Sequence, residues 1–345
     1  MQESTGEWQA AIRLFEELQS SRLSADSAQS CDILNRVLVE AGEWQRCLCV
    51  MDVMLDQRMI PNGMHIASTA SVLKSELSSQ LLQDALLLWR ANGKILEPPS
   101  PFPGLLACQP GVVAVSKPPD RSTEDLLEEL SALQPNSFSS VSRLDYPTSG
   151  VLIVAHGPSG SPAVNWLQAQ FASRHVKKTY LCLVEGASLG PEGCQGQVRK
   201  PLLTTEERVE VSNLGLEALT FYKVLQEFSH DGAEFSYLQV MPKTGRMHQI
   251  RVHLASIGRP LVTRPCRYAA TISCDEVGDL TYNPQPRVPE LSARLFLHCH
   301  RMDLQDLNRE RFWAEEPLPR DLQKTLTFLR NNRQNDLTGS REFGR

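Results

Sequence analysis

The residues with the clearest chemical potential are Ser142-Arg143-Leu144-Asp145-Tyr146-Pro147-Thr148-Ser149, closed by Gly150 and the apolar run Val151-Leu152-Ile153-Val154-Ala155. Turn residues fix the backbone around the acid, and the β-branched run after it predicts an anchoring strand. A carboxylate held in this way is aimed at something, either as a reacting group or as a turn cap. About a hundred residues later comes Lys243-Thr244-Gly245-Arg246-Met247-His248-Gln249-Ile250-Arg251-Val252-His253-Leu254. From Met241 to Tyr268 there are six Lys/Arg and no Asp or Glu, a local charge of +6. Ile250, Val252 and Leu254 alternate with Gln249, Arg251 and His253, a period of two that predicts a half-buried strand or a strand running into a helix. Arg251 and His253 then share a face. Between the two blocks lies Lys177-Lys178-Thr179-Tyr180-Leu181-Cys182-Leu183-Val184-Glu185-Gly186, strand-like, with a tyrosine beside two lysines.

In this order and at this spacing the three blocks resemble the RluA-type family of RNA pseudouridine synthases. That family reads roughly H-R-L-D-x-x-T-S-G, then K-x-Y-x-A-x-V-x-G, then T-G-R-x-H-Q-I-R-V-H-L. Here Arg143-Leu144-Asp145 with Thr148-Ser149-Gly150 fills the first motif, Lys178-Thr179-Tyr180 opens the second, and Thr244 to Leu254 fills the third. Gly111-Val112-Val113-Ala114-Val115-Ser116-Lys117-Pro118 is similar to the family's opening strand, and Arg294-Leu295-Phe296-Leu297-His298-Cys299-His300 to its last motif. The resemblance covers roughly residues 105 to 330.

The resemblance implies an α+β fold, a mixed and mainly antiparallel sheet with flanking helices. It also implies isomerisation of a uridine in structured RNA: the bond between base and ribose breaks, the base turns, and it rejoins through carbon. A carboxylate must then act at the sugar as nucleophile or base, as carboxylates do in glycosidases, and the resemblance gives this role to Asp145. Arg251 matches the arginine that pairs with the acid, and a guanidinium keeps a covered carboxylate ionised. Tyr180 matches the residue that stacks on the extruded base, which completes a catalytic set of Asp145, Tyr180 and Arg251. Arg143 resembles the residue that fills the gap left in the RNA. Lys178, Lys243 and Arg246 are expected at phosphates, with His248 and Gln249 also on the RNA. His253, like His248, orients RNA or satisfies local hydrogen bonds. The reaction needs no metal and no organic cofactor. The expected partner is RNA, ribosomal ahead of transfer.

Two stretches depart from the family pattern. Ser142 stands where the family has His, and Thr263-Arg264-Pro265-Cys266-Arg267-Tyr268-Ala269 replaces its Gly-Asp-Pro-x-Tyr-Gly. Neither removes the acid, its partner or the tyrosine. The segment from Ala269 to Leu291 reads as a divergent loop able to carry specificity. The competing reading is a catalytically inactive RNA-binding or assembly factor that keeps the fold; a third is a protein scaffold organised by the N-terminal helices.

These motifs need elements to position them, and the 345-residue chain is long enough for two cores. Residues 1–96 form a helical-repeat region. Gly6-Glu7-Trp8-Gln9 recurs thirty-six residues on as Gly42-Glu43-Trp44-Gln45, and Leu23-Ser24-Ala25-Asp26 as Met59-Ile60-Pro61-Asn62. Apolar residues fall at helical spacing in Ala11, Leu14, Phe15, Leu18 and in Leu48, Met51, Leu55, and a third partial unit spans Gln80 to Trp89. Such a repeat predicts stacked helix pairs, a solenoid, and resembles pentatricopeptide repeats, which bind single-stranded RNA. Cys31 and Ala67 stand where the family's base-reading polar residue would be. Residues 1–97 carry 8 Lys/Arg against 13 Asp/Glu, net −5, while the remainder balances at 27 against 27. An acidic array attracts phosphate poorly, so contact with protein is as open as contact with single-stranded RNA. The chain begins almost at the second helix of a repeat, as a truncated array or a fragment lacking upstream repeats would.

Prolines 98, 99, 101 and 103 mark a linker over residues 97–110, ahead of a catalytic domain at 111–330. The polar residues 331–345 predict a disordered tail. The nine cysteines form no Cys-x-x-Cys pair, and Cys299 between His298 and His300 completes no metal set. Scattered reduced thiols, with no membrane-length apolar run and no signal or transit peptide in view, suit an intracellular protein. Cytoplasm and organelle (mitochondrion or plastid) both stay open.

Overall fold

The apolar runs 112–115, 151–155 and 181–184 are almost wholly buried, which makes them central strands of a sheet covered on both faces. A computed structural model of the chain describes residues 9–13, 27–73, 75–135, 137–206, 208–263, 288 and 291–339. After the helical residues 9–13 come α1 (Ser27–Glu40), α2 (Trp44–Asp56), α3 (Gly63–Ser71) and α4 (Ser75–Asn92). Next come β1 (Leu105–Gln109), β2 (Val112–Lys117), α5 (Thr123–Leu133), β3 (Phe138–Ser140), β4 (Ser149–His156), α6 (Pro162–Ala172) and β5 (Lys177–Glu185). The strands β6 (Gln195–Arg199), β7 (Leu202–Thr204), β8 (Val209–Val211), β9 (Leu219–His230) and β10 (Ala233–Pro242) precede α7 (Gln249–Ala255). The chain then runs through β11 (Leu297–Gln305), β12 (Arg311–Glu315) and α8 (Arg320–Gly339).

Ten strands make one sheet in the order β1-β2-β4-β11-β5-β10-β9-β6, with β12 beside β11 and β3 beside β4; β7 and β8 pair separately. Only β4 and β11 run parallel, aligning Ser149 with His298 and Gly150 with Cys299. The remaining pairs are antiparallel, so the sheet is mixed and mostly antiparallel. Alternation along β5 divides its side chains: Tyr180, Cys182 and Val184 join one core, Leu181 and Leu183 the other. The second core is closed by Leu322, Leu326 and Leu329 of α8.

The first core reaches beyond the sheet. Ile66, Ala67 and Ala70 of α3, with Leu82, Ala85, Leu86 and Trp89 of α4, pack into it beside Ala163, Val164 and Leu167 of α6. The contact is close: a Cβ on Gly63 would lie 2.1 Å from the carbonyl oxygen of Asn165. Only glycine lets the two helices meet there. The Gly63 amide donates to Asn165 Oδ1 (3.1 Å), Trp89 Nε1 to the Pro61 carbonyl (2.8 Å) and Arg90 to the Leu307 carbonyl (3.1 Å). By contrast α1 and α2 hold a small core of their own around Leu34, Leu38, Cys47, Val50 and Met54.

Three boundaries differ from the sequence reading. Gln249 to Ala255 is helix throughout, with no strand leading into it from Lys243, because the segment is buried nearly all round and its period-two apolar pattern does not report a single face. The expected linker stops short: residues 105–109 are β1, and Gln109 and Pro110 lead into the turn before β2. Helix α8 runs on to Gly339, past the expected start of the tail, because its leucine stripe is anchored and no proline interrupts it. Residues 340–345, the first copies of the repeated motif at 6–8 and 23–26, and most of the divergent loop after Thr263 lie outside the described residues.

Candidate active site

Asp145 sits in the loop that feeds β4, and that loop is tied from inside. Lys117, at the end of β2, is fully buried; its Nζ donates to the carbonyls of Asp145 (3.3 Å), Tyr146 (3.1 Å), Thr148 (2.8 Å) and Pro118 (3.2 Å). Burial lowers the Lys117 pKa from 10.5 to about 8, while the charges of Asp145 and Asp120 oppose that shift. The Thr148 amide donates to the Asp145 carbonyl (3.0 Å), the Asp120 amide to the Tyr146 carbonyl (3.0 Å) and the Leu144 amide to Thr123 Oγ1 (3.4 Å). Gly150 then passes against β11 with φ +121°, where a Cβ would lie 2.2 Å from the Cys299 carbonyl oxygen. The turn chemistry of the sequence thus ends in a rigid loop with its carboxylate presented outward.

Arg251 comes from the other side. The residues before α7 are locked by Gln249, whose Oε1 accepts from Thr244 Oγ1 (2.6 Å) and the Arg246 amide (3.0 Å). Its Nε2 donates to the Leu219 carbonyl (3.1 Å) and Thr220 Oγ1 (2.9 Å). His248 takes the left-handed conformation, φ 50°, to start the helix. This brings Arg251 Nη1 to 3.7 Å from Asp145 Oδ2, an ion pair in which the arginine side chain is 3% exposed and the aspartate 27%. A covered guanidinium and a reachable carboxylate is the arrangement needed to poise an acid toward a ligand.

Both line a cavity of about 740 Å³. Its charged lining residues, among those described, are Arg143, Arg174, Lys178, Arg246, Arg251 and the single acid Asp145. The Tyr180 ring also faces it, with a hydroxyl bonded to the Cys299 thiol and a pKa raised well above 10 by burial, so the phenol stays neutral. Lys178 Nζ donates to the Thr244 carbonyl (3.5 Å), and burial lowers its pKa. Arg246 Nε donates to the Glu217 carbonyl (3.2 Å).

The structure therefore gathers Asp145, Tyr180, Arg251, Arg143, Lys178, Arg246, His248 and Gln249 around one cleft. Gln249 is buried in the cleft lining, and both ends of its amide are bonded within the protein, where they hold the loop. Lys243 is exposed and lies outside the lining. His253 is buried between Thr220 Oγ1 (2.8 Å) and the Lys200 carbonyl (2.9 Å), a local role. Ser149 Oγ lies 2.9 Å from His298 Nδ1, but both are buried behind the cleft, so this serine–histidine pair is structural.

Two residues escaped the motif reading. Lys117 lay in the opening-strand block, where the lysine before Pro118 reads as surface; only folding shows its four carbonyl acceptors. Arg174, between α6 and β5, was legible only as one more member of the basic run ahead of Tyr180. The wall from α1 and α3 (Val39, Met64, Ala67, Ser68 and Ser71) fell in the helical-repeat reading, which named Ala67 but gave no sign that these residues join the Asp145 cleft.

A family model described as RNA pseudouridylate synthase matches residues 104–256. The ribosomal large subunit pseudouridine synthase C of Vibrio parahaemolyticus is 34% identical over 210 residues, covering 59% of this chain and 60% of that protein. An uncharacterized RNA pseudouridine synthase of Zymomonas mobilis is 31% identical over 188 residues, 53% of this chain and 74% of that protein. A solved human structure, RNA Pseudouridylate Synthase Domain Containing 4, is similar at 20% identity with a TM-score of 0.49, covering 71% of this chain and 96% of that one. The chain spans about 60% of the length of the Vibrio relatives it matches. With its three motifs converging on one cleft and these relatives beside it, the chain belongs to the RNA pseudouridine synthase family, of the RluA type.

Proposed function

We propose that this protein isomerises uridine to pseudouridine in RNA, with Asp145 as the acting carboxylate. The observation that carries the reading is the Asp145–Arg251 pair in a cleft whose other charged lining residues are all cationic. Cations along the cleft suit the phosphates of a strand. The target base must leave its stack, at a cost of a few kcal/mol, and the neutral Tyr180 ring offers it a face. Asp145, held by Arg251 and by the Lys117-tied loop, then meets the ribose as nucleophile or as base. Arg143, exposed beside it, occupies the gap the base leaves. Arg174, Lys178 and Arg246 serve the backbone, and no step requires a metal or organic cofactor.

Ribosomal RNA is the proposed substrate, with transfer RNA next, because the relatives' names place them on the large ribosomal subunit. We also assign residues 1–96 to pentatricopeptide-like helix pairs, α1 with α2 and α3 with α4, joined by residues 97–110 to a catalytic domain. The positions that would read bases, Cys31 and Ala67, are each 1% exposed, which favours a packed scaffold over a base code. No helix among the described residues is long and apolar enough to cross a membrane.

The test is a pseudouridine map of RNA from cells with and without the gene. One or a few sites should vanish on deletion and return with the intact gene. Identical maps would leave an RNA-binding factor that keeps the fold.

A further inference from the structure

We infer that the exposed stripe of α3 (Met64, Ser68 and Ser71) is a substrate wall that contacts the nucleotides flanking the target uridine. This rests on reading the cleft as an RNA site. In the nine-residue helix α3, Gly63, His65, Ile66, Ala67, Thr69 and Ala70 are buried, so the exposed or half-exposed residues fall at i, i+4 and i+7. Those same three residues line the cleft that holds Asp145 and Tyr180. The outward face of α3 is therefore the inward face of the site.

The wall is held as firmly as the catalytic loops. Asn62 caps α3, its Oδ1 accepting from the His65 amide (2.8 Å). Asp32 of α1 bonds Asn62 Nδ2 (3.0 Å) and His65 Nδ1 (2.9 Å), and Thr69 Oγ1 donates to Asn35 Oδ1 (3.1 Å). Gly63 fixes the other side against the Asn165 backbone. A surface this well anchored presents its side chains at fixed positions.

Its chemistry complements the cationic part of the lining. Arg143, Arg174, Lys178 and Arg246 draw phosphates, whereas the lining from α1 and α3 carries no charge. A strand lying in the cleft turns its backbone to the cations and its bases and riboses to α3. Ser68 and Ser71 offer hydroxyls to base edges or the 2′-hydroxyl, and Met64 offers a polarizable face to a base. The substrate class is thus RNA that is unpaired, or opened, on both sides of the modified uridine.

The test uses the full chain and a pool of short randomised RNAs, each carrying one photoreactive 4-thiouridine, with crosslinked peptides mapped by mass spectrometry. Crosslinks should fall on residues 64–71 as well as around Tyr180 and Arg246. Ser68→Glu and the more exposed Ser71→Glu, checked for unchanged thermal unfolding, should each weaken binding roughly tenfold by setting an unpaired carboxylate against bases and riboses. Crosslinks confined to the cationic side, or none, with glutamate variants binding like wild type, would overturn the inference. Crosslinks on α3 from a wild-type protein that forms no pseudouridine would sink the enzymatic reading and leave this one standing.

Discussion

The cleft lining has two parts: Arg143, Arg174, Lys178, Arg246 and Arg251 around a single carboxylate, and Met64, Ala67, Ser68 and Ser71 of α3 without a charge. The charged part is borne by loops, the start of β5 and helix α7, with named bonds beneath two of the loops: Lys117 under the Asp145 loop, Gln249 under the Arg246 turn. The uncharged side is one helix face held by a glycine contact and a cap. Covering charged groups needs dedicated partners of particular type and spacing. A helix that supplies only shape and hydroxyls needs none. This difference decides which side a sequence can announce.

The contrast can be broken most severely at Gly150. Its φ of +121° and the missing space beside the Cys299 carbonyl leave no room for a methyl group. Gly150→Ala should cost about 4 kcal/mol or more and prevent folding to the native sheet, read as loss of a cooperative urea transition. A soluble variant with wild-type stability would show that β4 and β11 do not meet as described. Next in size is Arg251→Lys, which keeps the charge and loses the planar fork. The turnover rate should fall about a hundredfold with little change in RNA affinity; an equal loss in both would make Arg251 a phosphate contact.

Lys117→Met tests the support beneath the acid. Four carbonyls lose their shared donor, and the rate should drop about tenfold as the loop loosens, with about 1–3 kcal/mol lost in stability. The pH dependence gives a second reading. With the pKa down from 10.5 to about 8, the folded chain sheds this proton before the unfolded chain does. Between about 8 and 10.5 the unfolded state binds more protons, so this group adds to stability as pH rises. Activity runs the other way, because the neutral amine has one donor fewer for the loop. Wild type should therefore lose rate above about pH 8 while gaining stability, and Lys117→Met should show neither trend from this group. Matching pH profiles would remove Lys117 from the account.

Gly63→Val addresses the other wall alone. Its side chain collides with the Asn165 backbone, so α3 should be displaced at a cost of about 2 kcal/mol. The effect on rate should be smaller than that of any change on the charged side, with the loss concentrated in RNA affinity. A variant that lost turnover as completely as Arg251→Lys would mean that α3 supports the chemistry itself.

Legibility followed the same division. Asp145, Tyr180 and Arg251 were readable because a carboxylate, a ring and its arginine must sit in motifs of fixed order. The strands at 112–117, 149–156 and 177–185 were readable from their short apolar runs. Residues 249–255 misled because burial on every face erases the helical period. Lys117 was hidden because three of its four acceptors are backbone carbonyls 28 to 31 residues away, and backbone has no sequence identity. The α3 wall was hidden for the opposite reason: Met, Ala and Ser at helical spacing suit any surface helix, and only the docking through Gly63 turns them toward the acid.

The most direct measurement is on purified Asp145→Asn incubated with the RNA that wild type modifies. The substitution removes the charge with little change in size, so RNA affinity should stay within about twofold while pseudouridine falls at least a thousandfold, to background. Pseudouridine formed at a rate near wild type would contradict the assignment of Asp145.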